Sequence, residues 1–283
     1  MTTEQHKGAR SQTVVEAATV LVFRQRARTR APELLMVQRS GELAFAARAM
    51  VFPGGKLHAS DRALAAQLAQ SDRSDDLAHR LAGIREVLEE TGLVIGVEQQ
   101  LTAQQAQEAR TMLATSEDLA PVLARFGWSL APLQLVPFAR WLPRGRVGRA
   151  FDTRFYLADL GSGQVELEPD LGEMTRLTWL TARDALARYA SGEMHMIFPT
   201  LRNLERLAQF DSFAAAAEHA RNTAISTISP WIEEVKGRKL LRIPEGAGYP
   251  VTSAPLEQSG FQSKDSSPSA GKDTPGSTRP APA

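Results

Sequence analysis

The sequence contains no cysteine, which excludes disulfides, thiolate zinc sites and thiol nucleophiles. It carries little net charge, +1 over 283 residues, so it lacks the broad basic field that draws a protein onto nucleic acid. Long apolar runs are missing too. The longest near the start, residues 17–23, is far too short to span a bilayer and reads as a strand. Residues 1–12 are polar and lack the basic-then-apolar layout of a signal peptide. These features predict a soluble, cytoplasmic chain without membrane or nucleic-acid partners. They leave its oligomeric state open.

What remains is enough for a sizeable core. Hydrophobic residues make up 43% of the chain, which suits one domain of about 200 residues with tails, or two small domains. Apolar alternation predicts strands at residues 14–23, 33–38, 93–97, 133–141, 153–160 and 175–180. Helices are expected at 63–70, 75–90, 102–126, 182–190, 199–208 and 214–221. Strands interleaved with helices make an α/β protein. From residue 251 the chain is rich in Ser, Pro and Gly, with Leu256 and Phe261 as its sizeable apolar residues. Such a segment cannot offset its ordering entropy. The expected layout is a disordered start (1–12), a main domain (13–210), an extension (211–250) and a disordered tail (251–283).

The most informative segment is Arg85-Glu86-Val87-Leu88-Glu89-Glu90-Thr91-Gly92-Leu93. On a helix Leu77, Leu81, Ile84 and Leu88 share one stripe, and Glu86, Glu89 and Glu90 gather on the opposite side. Like charges at three- and four-residue spacing repel one another. Gly92 stands where a left-handed cap would end the helix. Upstream, Phe52-Pro53-Gly54-Gly55 reads as a strand end followed by a flexible loop. Clustered carboxylates supply the oxygen ligands that a hard cation such as Mg²⁺ takes.

Together these residues resemble the signature of the Nudix family, in which Gly, five residues, Glu and seven residues precede Arg-Glu-apolar-x-Glu-Glu-x-Gly-apolar. Residues 85–93 fit the second half at every fixed position; Gly55 supplies the leading Gly, and Asp61 stands in place of the first Glu. Between Asp61 and Arg85 lie 23 residues, not seven, so residues 62–80 read as an insertion. We expect it to form a helix and turn at the rim of the cleft, against the part of the substrate beyond the diphosphate. Glu173, six residues before Trp179, matches an additional metal-binding Glu of many members.

The resemblance implies an α/β/α sandwich around a mixed sheet, with helical insertions. It also implies Mg²⁺ or Mn²⁺ held by Glu86, Glu89, Glu90 and Glu173, with the carbonyl of Gly54 completing the cage. One glutamate acts as general base in this family. Here Glu86 and Glu90 are favoured as ligands and Glu89 as ligand or base, with Arg85 orienting them by ion pairing. The segments 133–141 and 151–158 are similar to the acyl-coenzyme A diphosphatase branch of peroxisomal type and its bacterial relatives. That branch implies coenzyme A or its acyl esters as substrate. The better-known coenzyme A motif before Phe-Pro-Gly-Gly is Arg-Ser, three residues, Arg, three residues, Gly; Arg39-Ser40 fits it, but Ala44 and Arg48 occupy its later positions, which counts against coenzyme A. Other small nucleotides (ADP-ribose, NADH, dinucleoside polyphosphates) and a non-catalytic nucleotide-sensing role are the alternatives. Arg39, Arg140 and Arg154 are candidates for the substrate's phosphates, because guanidinium matches phosphate oxygens bidentately.

Overall fold

A computed structural model describes residues 12–26, 31–41, 48–69, 74–144, 148–160 and 174–258. Strands β1 (Gln12–Arg24), β2 (Glu33–Arg39), β3 (Met50–Val51) and β4 (Gly54–Lys56) come first. Helices α1 (Ala59–Leu68), α2 (Ser74–Thr91), α3 (Ala103–Ser116) and α4 (Leu119–Phe126) follow. Then come β5 (Val136–Trp141), β6 (Gly148–Asp159) and β7 (Met174–Thr181), and helices α5 (Ala182–Ala190), α6 (Phe198–Leu207) and α7 (Phe213–Asn222). The short strands β8 (Thr227–Ile228), β9 (Trp231–Val235), β10 (Arg238–Arg242) and β11 (Ser253–Pro255) complete the described chain.

The main sheet runs β3-β2-β1-β6-β5-β8, with β4 added to β1 and β7 to β2. It is mixed: β1 lies parallel to β6 over its whole length but antiparallel to β2 and β4. Alternation along β1 explains how both faces are covered. Ala18, Val20 and Val22 point to one side, where α1, α2, α3 and α4 pack over them. Leu21 and Phe23 point to the other, under α5, α6 and α7. Two buried apolar layers thus flank the sheet, giving the expected α/β/α sandwich.

Three segments differ from the sequence reading. Residues 93–97 do not form a strand; they make one isolated bridge, Val97 to Leu130. Residues 102–126 form two helices rather than one, because Glu117 takes a left-handed conformation and Asp118 caps the next helix by accepting from Ala120 N–H. Residues expected to begin the tail at 251 are partly ordered. Ser253–Pro255 pairs antiparallel with β10, and residues from 259 onward lie outside the described ones. Among the described residues no helix is long and apolar enough to cross a membrane.

Candidate active site

Three carboxylates, those of Glu86, Glu89 and Glu90, crowd the C-terminal end of α2. That is an unfavourable place for them, since the helix dipole is negative there and the acids repel one another. Arginine offsets the cost from two directions. Arg85, fully buried, spreads its guanidinium across Asp61 (Nε to Oδ1 3.1 Å, Nη2 to Oδ2 3.2 Å). Its Nη1 faces Glu86 Oε1 at 2.9 Å and Glu89 Oε2 at 3.2 Å, and Nη2 donates to the Lys56 carbonyl at 2.8 Å. From α3, Arg110 donates to the carbonyls of Glu89 (2.9 Å) and Glu90 (3.2 Å), closing the end of the helix.

Asp61 belongs to the first turn of α1, where its Oδ2 also accepts from His58 N–H at 2.8 Å. The insertion therefore separates Asp61 from Arg85 in sequence but not in space. The glycine loop closes the opposite wall. Gly54 N–H donates to Glu90 Oε2 at 3.0 Å. At Gly55 a Cβ would fall within 2.5 Å of the Glu86 carboxylate, so a larger residue there would push that carboxylate out of place. The loop thus covers the glutamates, and Glu90 is only 4% exposed.

Burial governs the charges of this cluster. It pushes the Glu86 carboxyl up to about 7, against the pull of Arg85 and with the help of neighbouring Glu89 and Asp61. Glu89 is raised as well, by burial first and by the nearby Glu117 carboxylate. Burial opposes the charge of Arg85, but Glu86, Asp61 and Glu89 outweigh it and hold the guanidinium above its ordinary value. Glu86 and Glu89 share Arg85, and Glu90 is turned to Gly54. Among the described residues no three acidic or histidine side chains converge in a ready-made metal-ligand geometry.

The candidate phosphate-binding arginines are not gathered at these glutamates. Arg140 forms a two-pronged pair with Asp152 (2.8 and 2.6 Å). Arg154 is bonded to Asp75 and lies 3.8 Å from Asp76. Asp75 is eleven residues before Glu86, about 16 Å along the helix. Neighbouring acids, which a linear reading could not assign, have taken up both side chains. Arg39 differs: it ends β2 beside Ala49, on the strand that leads into the glycine loop. Its Nε is buried without a hydrogen-bond partner among the described residues. Glu173 lies outside the described residues; Trp179, to which it was referred, pairs with Leu35 across β2 and β7. Sequence reasoning missed Arg110 and the Lys56 carbonyl, and no motif or spacing marks either.

An acidic helix end, an arginine that binds its glutamates to an acid on the preceding helix, and a glycine loop over the carboxylates resemble the fold and site of the Nudix hydrolases. Those enzymes act on phosphorus-containing anhydrides, and the chain is similar to them. Within that class it resembles the acyl-coenzyme A diphosphatase NUDT19 of Gallus gallus, with 27% identity over 77% of this chain and 74% of that protein. The protein of the same name from Xenopus laevis is 24% identical, over 71% of this chain and 66% of its own length. The crystal structure of a NUDIX hydrolase from Alicyclobacillus acidocaldarius superposes with a TM-score of 0.63 at 26% identity, covering 73% of this chain and 96% of that one. No family model matches the sequence.

Proposed function

We propose that the chain is a divalent-metal-dependent diphosphatase that cleaves coenzyme A or its acyl esters at the diphosphate. The observation that carries this reading is the set Glu86, Glu89 and Glu90 around Arg85, supported by the relatives named acyl-coenzyme A diphosphatase. The donors suit a hard cation. They are all oxygen, Glu90 among them is bonded to Gly54 N–H, and their crowding at a helix end is relieved by positive charge. Glu86 and Glu90 would hold the ion, with Glu173 and the Gly54 carbonyl as further ligands. Mg²⁺ or Mn²⁺ bound there would polarise a phosphoryl oxygen and lower the pKa of water.

The chain's own residues supply the rest. Glu89, with 34% of its side chain exposed against 12% for Glu86, is the glutamate best placed to take a proton from an attacking water. Arg85 fixes the rotamers of Glu86 and Glu89 by gripping both from behind. Arg39 would meet the phosphates of the substrate, its buried Nε being without a partner among the described residues. Arg140 and Arg154, already held by acids, would act on this site only through the packing of the sheet.

The test is a hydrolysis screen with Mg²⁺ and with Mn²⁺ over coenzyme A, its acyl esters, NADH, ADP-ribose and dinucleoside polyphosphates, with products separated chromatographically. The expected result is the highest kcat/KM on a coenzyme A species, yielding 3′,5′-ADP and the phosphopantetheine half. Preference for another nucleotide would overturn the substrate, and no metal-dependent hydrolysis of any would favour a sensing module.

A further inference from the structure

Away from the glutamate site lies a cavity of about 980 Å³. Its walls come from the far half of α1, the first turns of α2, α4, and residues 128–134. Leu64, Leu68, Leu77, Leu123, Trp128 and Leu133 make it apolar. Every one of these residues belongs to the insertion, the first half of α2, or the segment after the glutamates. We propose that this cavity receives the acyl chain of a long-chain acyl-coenzyme A, a reading that rests on the coenzyme A substrate proposed above.

Position and chemistry both support that occupant. Two walls of the cavity start at the glutamates and run away from them. The first turn of α1 holds Asp61 against Arg85, and Leu64 to Leu68 follow one to two turns on. Ser60 on that turn donates to the Glu117 carbonyl at 3.3 Å, and α4 begins two residues later. Leu77 lies nine residues before Glu86, about 14 Å along α2. A diphosphate held at the glutamates therefore leaves the span of a pantetheine arm before an acyl chain would reach the apolar walls. The volume is at the upper end of what ligand pockets enclose, enough for a long chain.

The polar groups of the wall select against a free fatty acid. Arg80 is its cation, and its Nε is bonded to Asp76 at 2.6 Å while Nη1 donates to the carbonyls of Pro132 and Leu135. A guanidinium so engaged has no lone carboxylate to seek. The remaining surface suits a neutral hydrocarbon, each buried methylene of which strengthens binding roughly fourfold. Leu133, 72% exposed at the rim, is an apolar side chain held in water that a bound chain would cover.

The experiment uses the full chain and two variants, Leu133→Glu at the exposed rim and Ala124→Trp, which fills the cavity from α4. Steady-state kinetics are measured on coenzyme A, acetyl-coenzyme A and palmitoyl-coenzyme A, with thermal melts to confirm folding. The expected result is a rise in KM for the palmitoyl ester of at least about tenfold in both variants. KM and kcat for coenzyme A and the acetyl ester should stay within about twofold of the parent. If a folded variant keeps the parent's relative KM values across the three substrates, the cavity is not the acyl site, although the diphosphatase reading stands. If the parent hydrolyses no coenzyme A species, that reading falls and this one with it. Because Leu133 is exposed, its variant tests the proposal even where Ala124→Trp does not fold.

Discussion

Replacing Asp61 by Asn is the sharpest probe of how the site is held together. The substitution keeps the size of the side chain and an acceptor for His58 N–H, so it removes little but the charge. Asp61 is 2% exposed and its partner Arg85 is fully buried, so water cannot rescue the cation that loses its counter-charge. Breaking a buried pair from one side costs about 3–5 kcal/mol. Glu86 and Glu89 remain on Arg85 Nη1, at 2.9 and 3.2 Å, which places the expected loss at the lower end, about 3 kcal/mol. For a folded unit of this size that corresponds to a fall in Tm of roughly 6–12 °C. Urea titration at neutral pH measures it directly. A loss below about 1 kcal/mol, the scale of an exposed ion pair, would refute the argument that this pair joins the two halves of the site.

Glu89→Gln and Glu90→Gln should each lower kcat by at least about a hundredfold while circular dichroism stays unchanged, because both keep hydrogen-bonding shape and lose charge. Truncation before Ser253 removes the β10–β11 ladder and the Arg202 bond to the Ser253 carbonyl. It should cost about 2 kcal/mol in chemical denaturation, whereas truncation after Gln258 should leave the midpoint unchanged. His79 is buried, and burial holds its pKa below the ordinary imidazole value. Its stabilising contribution is therefore complete above the unfolded pKa, about 6.5, and is lost as the pH falls through the folded value. Denaturation midpoints between neutral and mildly acidic pH should drop more steeply for the parent than for His79→Gln, and equal slopes would exclude this origin.

The parts of the fold written in local pattern were legible from sequence. The alternation of β1 and the apolar spacing of α2 need only nearest neighbours to be read, and α5 falls where its capping Thr181 starts it. The glutamates were legible because three acids at the end of one helix are costly without a purpose. What failed were features decided at a distance or by a single dihedral. Leu93, Val94 and Ile95 alternate like a strand, but Gly92 and Gly96 both adopt left-handed φ (73° and 66°) and break it at each end. Arg140 and Arg154 looked free because their acids, Asp152 and Asp75, come from another part of the same strand pair and from a helix far back in the chain. The hairpin of β9 and β10 carried a usable signal, two β-prone runs around Lys236-Gly237, both with positive φ (52° and 76°). Its charged composition concealed it.

The contact between Asp61 and Arg85 spans 24 positions of sequence. A motif built as one unbroken helix transmits every added residue as a rotation of 100° and a rise of 1.5 Å, and so tolerates none. Here the two halves are registered by an ion pair and by the packing of α1 on α2, and the connection between the two helices serves as a tether. The entropy of closing such a tether grows with the logarithm of its length, about 0.6 kcal/mol for each doubling. Residues between α1 and α2 can therefore be added or lost with little effect on the positions of the glutamates. This makes the connection a natural port for splicing in a reporter or a second binding module without retuning the chemistry.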